Sequence, residues 1–351
     1  MTKRVLVNTK VLNSHTTGVQ RYLLEIMARK PVGRSAWIDE AKPPWTGVLG
    51  HVWEQLALPV SCRRSLLWSP ANTGPLACRN QVVTIHDLQQ LEHPEWFATR
   101  FAAFYKFVIP RLVHRAARLI ANSDFTKSRL VDVLNVAPDR IAVTPLGVDP
   151  SVYHQWTGEA LRVGLERYGL EAASYVLYVG SLQPRKNLAG LVRAWKAIQP
   201  GLPSEMRLVV VGKAESPSMA AATRLPTNVG GLVSLGYVPD HDLPCLYSGA
   251  AALVNLSFYE GFGLPALEAM SCGTPVLVSD TTAFPEVVGD CGILVPPGNQ
   301  GAVADALIAL IGSPALRERL STAGLERAKR FSWDTTAEKT WSILAEEAAA
   351  R

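Results

Sequence analysis

The sequence predicts an α/β protein made of two parallel-sheet domains, and three observations carry that prediction. At 351 residues the chain is long for a single core. Short, largely apolar runs recur in both halves: Val5-Leu-Val, Gln81-Val-Val-Thr-Ile85, Tyr175-Val-Leu-Tyr-Val179 and Leu208-Val-Val-Val211. Such runs are the mark of strands buried on both faces. Helix-length segments separate them, as parallel strands require of their crossover connections. With 48% hydrophobic and 19% charged residues the composition is that of an ordinary globular protein. No run approaches the ~18 apolar residues of a membrane span.

Taken in order, Val5 to Asn8 opens a strand, and Thr16-Thr-Gly18-Val-Gln-Arg-Tyr22 leads into a helix. A strand, a small-residue turn and a helix start together make an end that faces anions. The G-x-G-x-x-G dinucleotide fingerprint is absent, which argues against a nicotinamide enzyme. Residues 31–50 are rich in Pro and Gly and read as a connection. Gln81 to Ile85 ends in His86 and Asp87, and the carboxyl ends of strands in open parallel sheets face the ligand crevice. Residues 95–118 interleave Trp96, Phe97, Phe101, Phe104 and Phe107 with Arg100, Lys106, Arg111, Arg115 and Arg118. That helix either lies in an anionic membrane interface or packs its aromatic face on the sheet. Leu119 to Asn122 is a further strand, with Ser123 and Asp124 as caps of the next helix.

In the second half, Tyr175 to Gly180 runs into Ser181-Leu-Gln-Pro-Arg185-Lys186-Asn187. Adjacent cations at a strand-to-helix turn suit a pyrophosphate, arginine as a bidentate donor and lysine as a point charge. Strands ending in Gly212 and Gly236 follow, the latter leading to Tyr237 and Val238. The segment around which the rest is organised is Asn255-Leu-Ser-Phe-Tyr-Glu260-Gly-Phe-Gly-Leu264-Pro-Ala-Leu-Glu268. It reads as a buried strand, a glycine-bearing turn and a short helix with Pro265 near its start. Gly261 and Gly263 allow close backbone approach, and the helix start aims N–H groups at one point, an anion site. Two carboxylates beside an anion site make sense for a ligand that also carries hydroxyls, as a sugar nucleotide does. The bland alternative is that Glu260 caps the helix and Glu268 is a solvated helix residue.

The string Phe258-Tyr-Glu260-Gly-Phe-Gly-Leu-Pro-Ala-Leu-Glu268-Ala-Met-Ser-Cys-Gly-Thr-Pro-Val276 resembles the E-x7-E signature of retaining glycosyltransferases of family 4, which have the GT-B fold. Pro285-Glu-Val-Val-Gly289 and Gly292-Ile-Leu-Val-Pro296 extend the resemblance. It implies two Rossmann-like domains facing across a cleft, residues 1–165 for the acceptor and 166–330 for the nucleotide sugar, with a C-terminal helix over 331–351 crossing back. By the same resemblance Glu260 and the Gly261-Phe262-Gly263-Leu264 amides hold donor sugar and phosphate, and Glu268 binds the ribose. Tyr237 and Val238 flank the base, His86 and Asp87 contact the donor sugar, and the loop at Gly18 covers phosphate or acceptor. Many members carry arginine directly after the glycine where this chain has Ser181, so Arg185 is expected to supply that charge beside Lys186. The implied catalytic set is therefore Glu260, His86, Arg185 and Lys186. Trp53-Glu54-Gln55 resembles a segment of mannosyl- and rhamnosyl-type members, with packing as its reading.

What the resemblance implies is transfer of a hexose from a nucleotide sugar, mannose or a deoxymannose from a GDP-sugar, to a saccharide acceptor, lipid-linked, in surface polysaccharide synthesis. No metal or other cofactor is expected, because Arg185, Lys186 and the helix start can neutralise the departing phosphate. Residues 1–150 carry 19 Lys and Arg against 11 Asp and Glu, whereas the remainder carries 16 against 19. This asymmetry suggests an anionic partner for the first half. No recognition helix or stacking sheet accompanies it, so nucleic acid is not expected. Five cysteines without a Cys-x-x-Cys pair, and an N-terminus that enters a strand directly, suggest a cytoplasmic protein, peripheral on the membrane's inner face. The rival readings are a UDP-sugar epimerase of the same fold, which would need no acceptor, and a two-lobed sugar-binding protein, which would need an export signal.

Overall fold

A computed structural model describes residues 4–13, 18–31, 38–62, 64–213 and 229–350. The chain divides into two compact units, residues 1–147 with 332–351, and residues 148–331. Each holds one six-stranded parallel sheet.

In the first unit the strands are β1 (Val5–Asn8), β2 (Ile38–Ala41), β3 (Leu66–Ser69), β4 (Gln81–Ile85), β5 (Arg118–Ala121) and β6 (Ile141–Val143). They run in the order β2-β1-β3-β4-β5-β6. Val5–Asn8, Leu66–Ser69 and Gln81–Ile85 are buried at every position, which explains why the sequence shows largely apolar runs there rather than alternation. One face packs on the Thr99–Arg115 helix through Val83, Ile85, Ile109, Leu112 and Leu119. The other face is closed by aromatic contacts, Tyr22 to Trp68 at 6.1 Å and Trp68 to Trp341 at 5.7 Å between ring centroids. Trp341 lies on the last helix, Trp333–Ala349, which thus returns to the first sheet. Its start is fixed by Ser332, whose Oγ accepts from the Thr335 amide at 3.1 Å. Ser123 caps the Asp124–Leu134 helix in the same way, accepting from Thr126 at 3.0 Å.

The second unit contains β7 (Tyr175–Val179), β8 (Arg207–Val211), β9 (Leu232–Gly236), β10 (Ala252–Asn255), β11 (Val276–Ser279) and β12 (Ile293–Val295). Their order is β12-β11-β10-β7-β8-β9. Its core joins Val176, Tyr178, Leu208 and Val254 to Leu191 and Trp195 of the Leu188–Ile198 helix and to Leu307 and Leu310 of Gln300–Gly312. At the carboxyl edge the backbones come close enough that a Cβ on Gly212 would overlap the Gly180 carbonyl oxygen, so no side chain fits there.

Two boundaries differ from the sequence expectation. The first unit ends at Gly147 rather than at 165, and residues 148–170 belong to the second. They contain a helix, Gly158–Glu166, that packs into the second unit. Gly164 faces Cys245 so closely that a Cβ would overlap the sulfur, and the Trp156 amide donates to Ser248 Oγ at 3.0 Å. The Pro- and Gly-rich stretch expected to be only a connection also folds: its end forms the helix Gly47–Leu56. Two glycines and two β-branched valines lower that segment's helix propensity, so tertiary contacts decide its conformation.

Trp341 is buried, and its Nε1 donates to the Ile26 carbonyl at 3.1 Å. Trp341→Ala should therefore destabilise the first unit by about 3–5 kcal/mol. Urea unfolding followed by circular dichroism checks this, and an unchanged midpoint would contradict the packing described.

Candidate active site

In an open parallel sheet the ligand crevice lies at the carboxyl ends of the strands, where the strand order reverses. In the second sheet that point falls between β7 and β10. The segments leaving these two strands are Gly180–Asn187 and Leu256–Gly263, which hold half of the residues singled out from the sequence.

After β7, Pro184–Lys186 forms one 3-10 turn, and Asn187 takes a left-handed conformation (φ 52°) before the Leu188–Ile198 helix. Asn187 holds that conformation by donating from Nδ2 to the Pro297 carbonyl at 2.7 Å. The turn is stitched to the other loop by the Phe258 amide, which donates to the Arg185 carbonyl at 2.8 Å. Arg185 donates from Nε to Gln183 at 2.6 Å and from Nη1 to the Tyr259 carbonyl at 3.0 Å, and lies 3.6 Å from Glu260 Oε2. Lys186 Nζ donates to Glu260 Oε1. Both Lys186 and Glu260 are buried, 8% exposed each. Ser257 Oγ stands between Glu260 Oε1 at 2.9 Å and Asn255 Oδ1 at 2.5 Å. Ser181 lies at the start of the turn, where Tyr178 donates to its carbonyl at 3.1 Å.

Burial is the largest influence on Glu260 and opposes its ionisation. The charges of Lys186 and Arg185, with hydrogen bonds from Lys186 and Ser257, outweigh it and hold the carboxyl below its usual range. Glu260 is thus a buried carboxylate kept anionic by two cations. It does not cap the following helix. The cap position of Leu264–Ser271 is Gly263, left-handed at φ 100°, where a Cβ would come within 2.7 Å of Phe284. Phe262 is buried, and its ring meets Phe331 edge-on at 5.8 Å. Glu268 is buried rather than solvated and accepts from the Tyr247 hydroxyl at 2.9 Å. Tyr237 and Val238 follow β9. Val238 is buried, whereas Tyr237 is exposed with Lys213 Nζ 5.3 Å from its ring centroid. The structure thus joins Arg185, Lys186 and Glu260 directly and places Gly261–Leu264 next along the chain.

His86, Asp87 and Gly18 belong to the first unit. Gly18 begins the Gly18–Ala28 helix, and residues 14–17 of its loop lie outside the described residues. His86 follows β4, buried beneath Tyr22 at 5.0 Å. Its amide donates to Asn72 Oδ1 at 2.6 Å and its Nε2 to the Pro70 carbonyl at 2.7 Å. A carbonyl only accepts, so Nε2 carries the proton and Nδ1 is an acceptor. Burial pushes the pKa down to about 4 against the opposing pull of the Pro70 bond, and the ring is neutral at physiological pH. Asp87 Oδ2 accepts from Gln89 at 3.1 Å.

Sequence reasoning gave only a packing role to the segment of another buried carboxylate, Glu54, at the first sheet's own reversal point between β1 and β3. Glu54 is fully buried. Its Oε1 accepts from Asn8 at 2.7 Å and Thr73 at 3.1 Å, and its Oε2 from Lys10 at 2.7 Å. Lys10 also donates to Thr73 Oγ1 at 3.0 Å and to His51 Nδ1 at 2.9 Å, which matches its three protons to three acceptors. Burial opposes ionisation of Glu54, and its contacts with His51 and Lys10 outweigh that and lower its pKa. The sequence signal was available in Val52-Trp53-Glu54-Gln55-Leu56, a single acid in a largely apolar segment.

Although no metal is expected, Asp240-His241-Asp242 has the Asp-x-Asp spacing of a metal site. Asp242 is occupied there by Arg167 at 2.6 Å and the Tyr168 hydroxyl at 2.7 Å. Among the described residues no three His, Cys, Asp or Glu side chains are grouped to hold a metal ion.

Comparison with known proteins shows the family and the fold. The family model for group 1 glycosyl transferases matches residues 168–327, and that for glycosyltransferase family 4 matches residues 62–152. An O-antigen chain mannosyltransferase B from Escherichia coli is 34% identical over 268 residues, covering 76% of this chain and 70% of the relative. The chain belongs to the group 1 glycosyl transferases. A D-inositol 3-phosphate glycosyltransferase from Actinosynnema mirum is 36% identical over 258 residues, which span 69% of this glycosyltransferase but only 59% of that relative. A sucrose-phosphate synthase from Thermosynechococcus elongatus superposes with a TM-score of 0.78 over 99% of this chain and 100% of the other. At 20% identity that likeness establishes the GT-B fold of two Rossmann-like domains.

Two predictions follow from the charges of this glycosyltransferase. Lys186→Met strands Glu260 in the interior and should cost about 3 kcal/mol. Adding Glu260→Gln should return part of that loss in a double-mutant cycle by urea unfolding, and strict additivity would argue against the pairing. For His86 the folded pKa lies below the ordinary 6.5. Its stabilising contribution is therefore complete above pH 6.5 and is lost as pH falls towards 4, where the unfolded chain binds the proton first. His86→Gln should flatten the urea midpoint against pH in that window, and an unchanged slope would refute the neutral buried ring.

Proposed function

We propose that the enzyme transfers mannose or a deoxymannose from a GDP-sugar, with retention of configuration, to a saccharide acceptor that is lipid-linked and destined for a surface polysaccharide. The observation that carries this reading is the Arg185–Lys186–Glu260 cluster at the reversal point of the second sheet. Two cations and a carboxylate at one point suit a ligand with a diphosphate beside hydroxyls, and the similarity to an O-antigen chain mannosyltransferase favours mannose. Five free thiols fit a reducing, cytoplasmic setting.

In this reading Arg185 and Lys186 bind the diphosphate, and the amides of Gly261 to Leu264 at the helix start join them. Ser181 lies beside the phosphates in place of a third cation. Glu260 accepts hydrogen bonds from donor-sugar hydroxyls, Glu268 from the ribose, and Tyr237 and Val238 flank the base. His86, an acceptor at Nδ1, and Asp87 take sugar hydroxyls, and Gly18 lets its loop approach the donor or acceptor. The acceptor oxygen attacks the anomeric carbon on the face from which the diphosphate leaves. The C–O bond to phosphate breaks as the new C–O bond forms, and the departing phosphate oxygen takes the acceptor's proton. The two cations offset the charge that develops on the leaving group, so the step requires no divalent ion.

A thermal-shift panel with UDP, GDP, ADP, dTDP and CMP, with and without EDTA, tests this. A ligand at 100 times its Kd adds about 2.7 kcal/mol, a readily measured rise in midpoint. GDP alone should raise it, insensitive to EDTA, and Lys186→Ala should weaken GDP binding by about 1.5–3 kcal/mol. A UDP-selective shift would overturn the donor, and Glu260→Ala with undiminished transfer would overturn the site.

A further inference from the structure

We infer that the outer face of the Gly47–Leu56 helix, with the neighbouring Thr99–Arg115 helix, is a docking surface for an anionic lipid bilayer. The observation is that the first of these helices is inverted. Helices on a globular surface turn apolar residues inward and polar ones outward. Here the buried positions are Gly50 and Glu54, whereas Val48, Leu49, Val52 and Leu56 are between 46% and 80% exposed. At 100° per residue these four fall within an arc of about 100°. Trp45 before the helix and Val60 after it are exposed as well.

The inversion is enforced, not incidental. Glu54 is held inside by Asn8, Lys10 and Thr73, and Lys10 also reaches His51 on the same helix. Rotating the apolar stripe inward would pull the carboxylate off these partners and strand the Lys10 ammonium. The buried network therefore selects the orientation that leaves aliphatic side chains in water, at a cost in transfer free energy.

Charge identifies what covers this face. From Ala41 to His86 the only Asp or Glu is the buried Glu54, while Lys42, Arg63, Arg64 and Arg79 are basic. Trp96 to Ser123 contains no acid and carries Arg100, Lys106, Arg111, Arg115 and Arg118. The two helices adjoin, the His51 ring meeting Phe104 at 4.7 Å. The second adds exposed Phe101 and Phe107, with the Arg111 guanidinium 3.8 Å over the Phe107 ring. The exposed Glu95, which feels the charge of Lys106, stands at the edge of this region and is outnumbered by the cations, and an apolar stripe with that excess of positive charge matches an interface of acyl chains beneath anionic headgroups. A symmetric contact with a second copy would set this cationic border against itself. The sequence offered membrane contact on residues 95–118, as one of two readings beside packing on the sheet. The structure assigns the leading part to Val48, Leu49, Val52 and Leu56, and leaves Phe104 against His51 and Trp96 stacked on His93.

The inference is independent of donor and acceptor and is tested without either. Full-length protein is floated with vesicles of phosphatidylcholine alone, or of phosphatidylcholine and phosphatidylglycerol in equal parts. The wild type should float with the anionic vesicles and much less with the neutral ones. Val48→Ser/Val52→Ser/Leu56→Ser should lower the vesicle partition coefficient at least ~10-fold. Arg100→Gln/Lys106→Gln/Arg111→Gln should lower it as well and remove most of its salt dependence. Both variants should keep the wild type's circular dichroism spectrum and a single cooperative urea transition, which shows them folded. Absence of wild-type flotation, or full flotation of the serine variant, would overturn the inference. So would a wild-type dimer in light scattering that the serine variant converts to monomer without any vesicle binding, since the face would then join two copies.

Discussion

A carboxylate can stay ionised inside a protein only where cations stand beside it, and much of the second unit is arranged around meeting that condition at Glu260. The strand-to-helix turn delivers Arg185 and Lys186 as neighbours, and the left-handed Asn187 ends that turn so that the next helix can begin at Leu188. The Phe258-to-Arg185 backbone bond fixes the second loop against the first, and Ser257 fills the remaining coordination of Glu260. Loss of one member of a buried ion pair costs several kcal/mol, more than any single surface contact contributes. The cluster is accordingly a constraint on the fold as well as a device for binding a diphosphate. Both follow from the same fact, that opposite charges are concentrated where the strand order reverses.

The first unit repeats this solution at its own reversal point with different residues. Glu54 there is satisfied by one ammonium, an amide and a hydroxyl, and its side chain comes from a helix rather than from the loop after a strand. Two parallel sheets thus carry one buried anion each at equivalent topological places. In the second unit the anion organises the loops around a ligand site. In the first it fixes how a helix is turned.

The sheets were legible because parallel strands buried on both faces leave largely apolar runs, as at Gln81–Ile85 and Tyr175–Val179. The E-x7-E segment was legible because strand, glycine turn and proline-started helix each leave a local mark. The Gly47–Leu56 helix was hidden. Its pattern is that of a buried helix with one misplaced acid, and only the distant partners Asn8, Lys10 and Thr73 reveal that the acid marks the inner face. The Gly158–Glu166 helix was likewise not read from the sequence, because Gly164 signals flexibility locally but serves close packing against Cys245. The burial of Glu268 was not visible either, since its partner Tyr247 lies on a preceding helix with no sequence sign of the contact. What was missed depended on contacts distant in sequence.

The path of the chain has a consequence for assembly of the molecule. Residues 148–331 form the second unit without interruption, whereas the first unit is completed by residues 332–351. On the ribosome, where chains emerge N-terminus first, the second unit can close as soon as it is out. The first must wait, with the surface of Tyr22 and Trp68 uncovered, until Trp341 arrives. During that interval the earliest-made half of the protein is the less protected one, and a chain halted before the last helix would expose an aromatic surface that chaperones and proteases recognise.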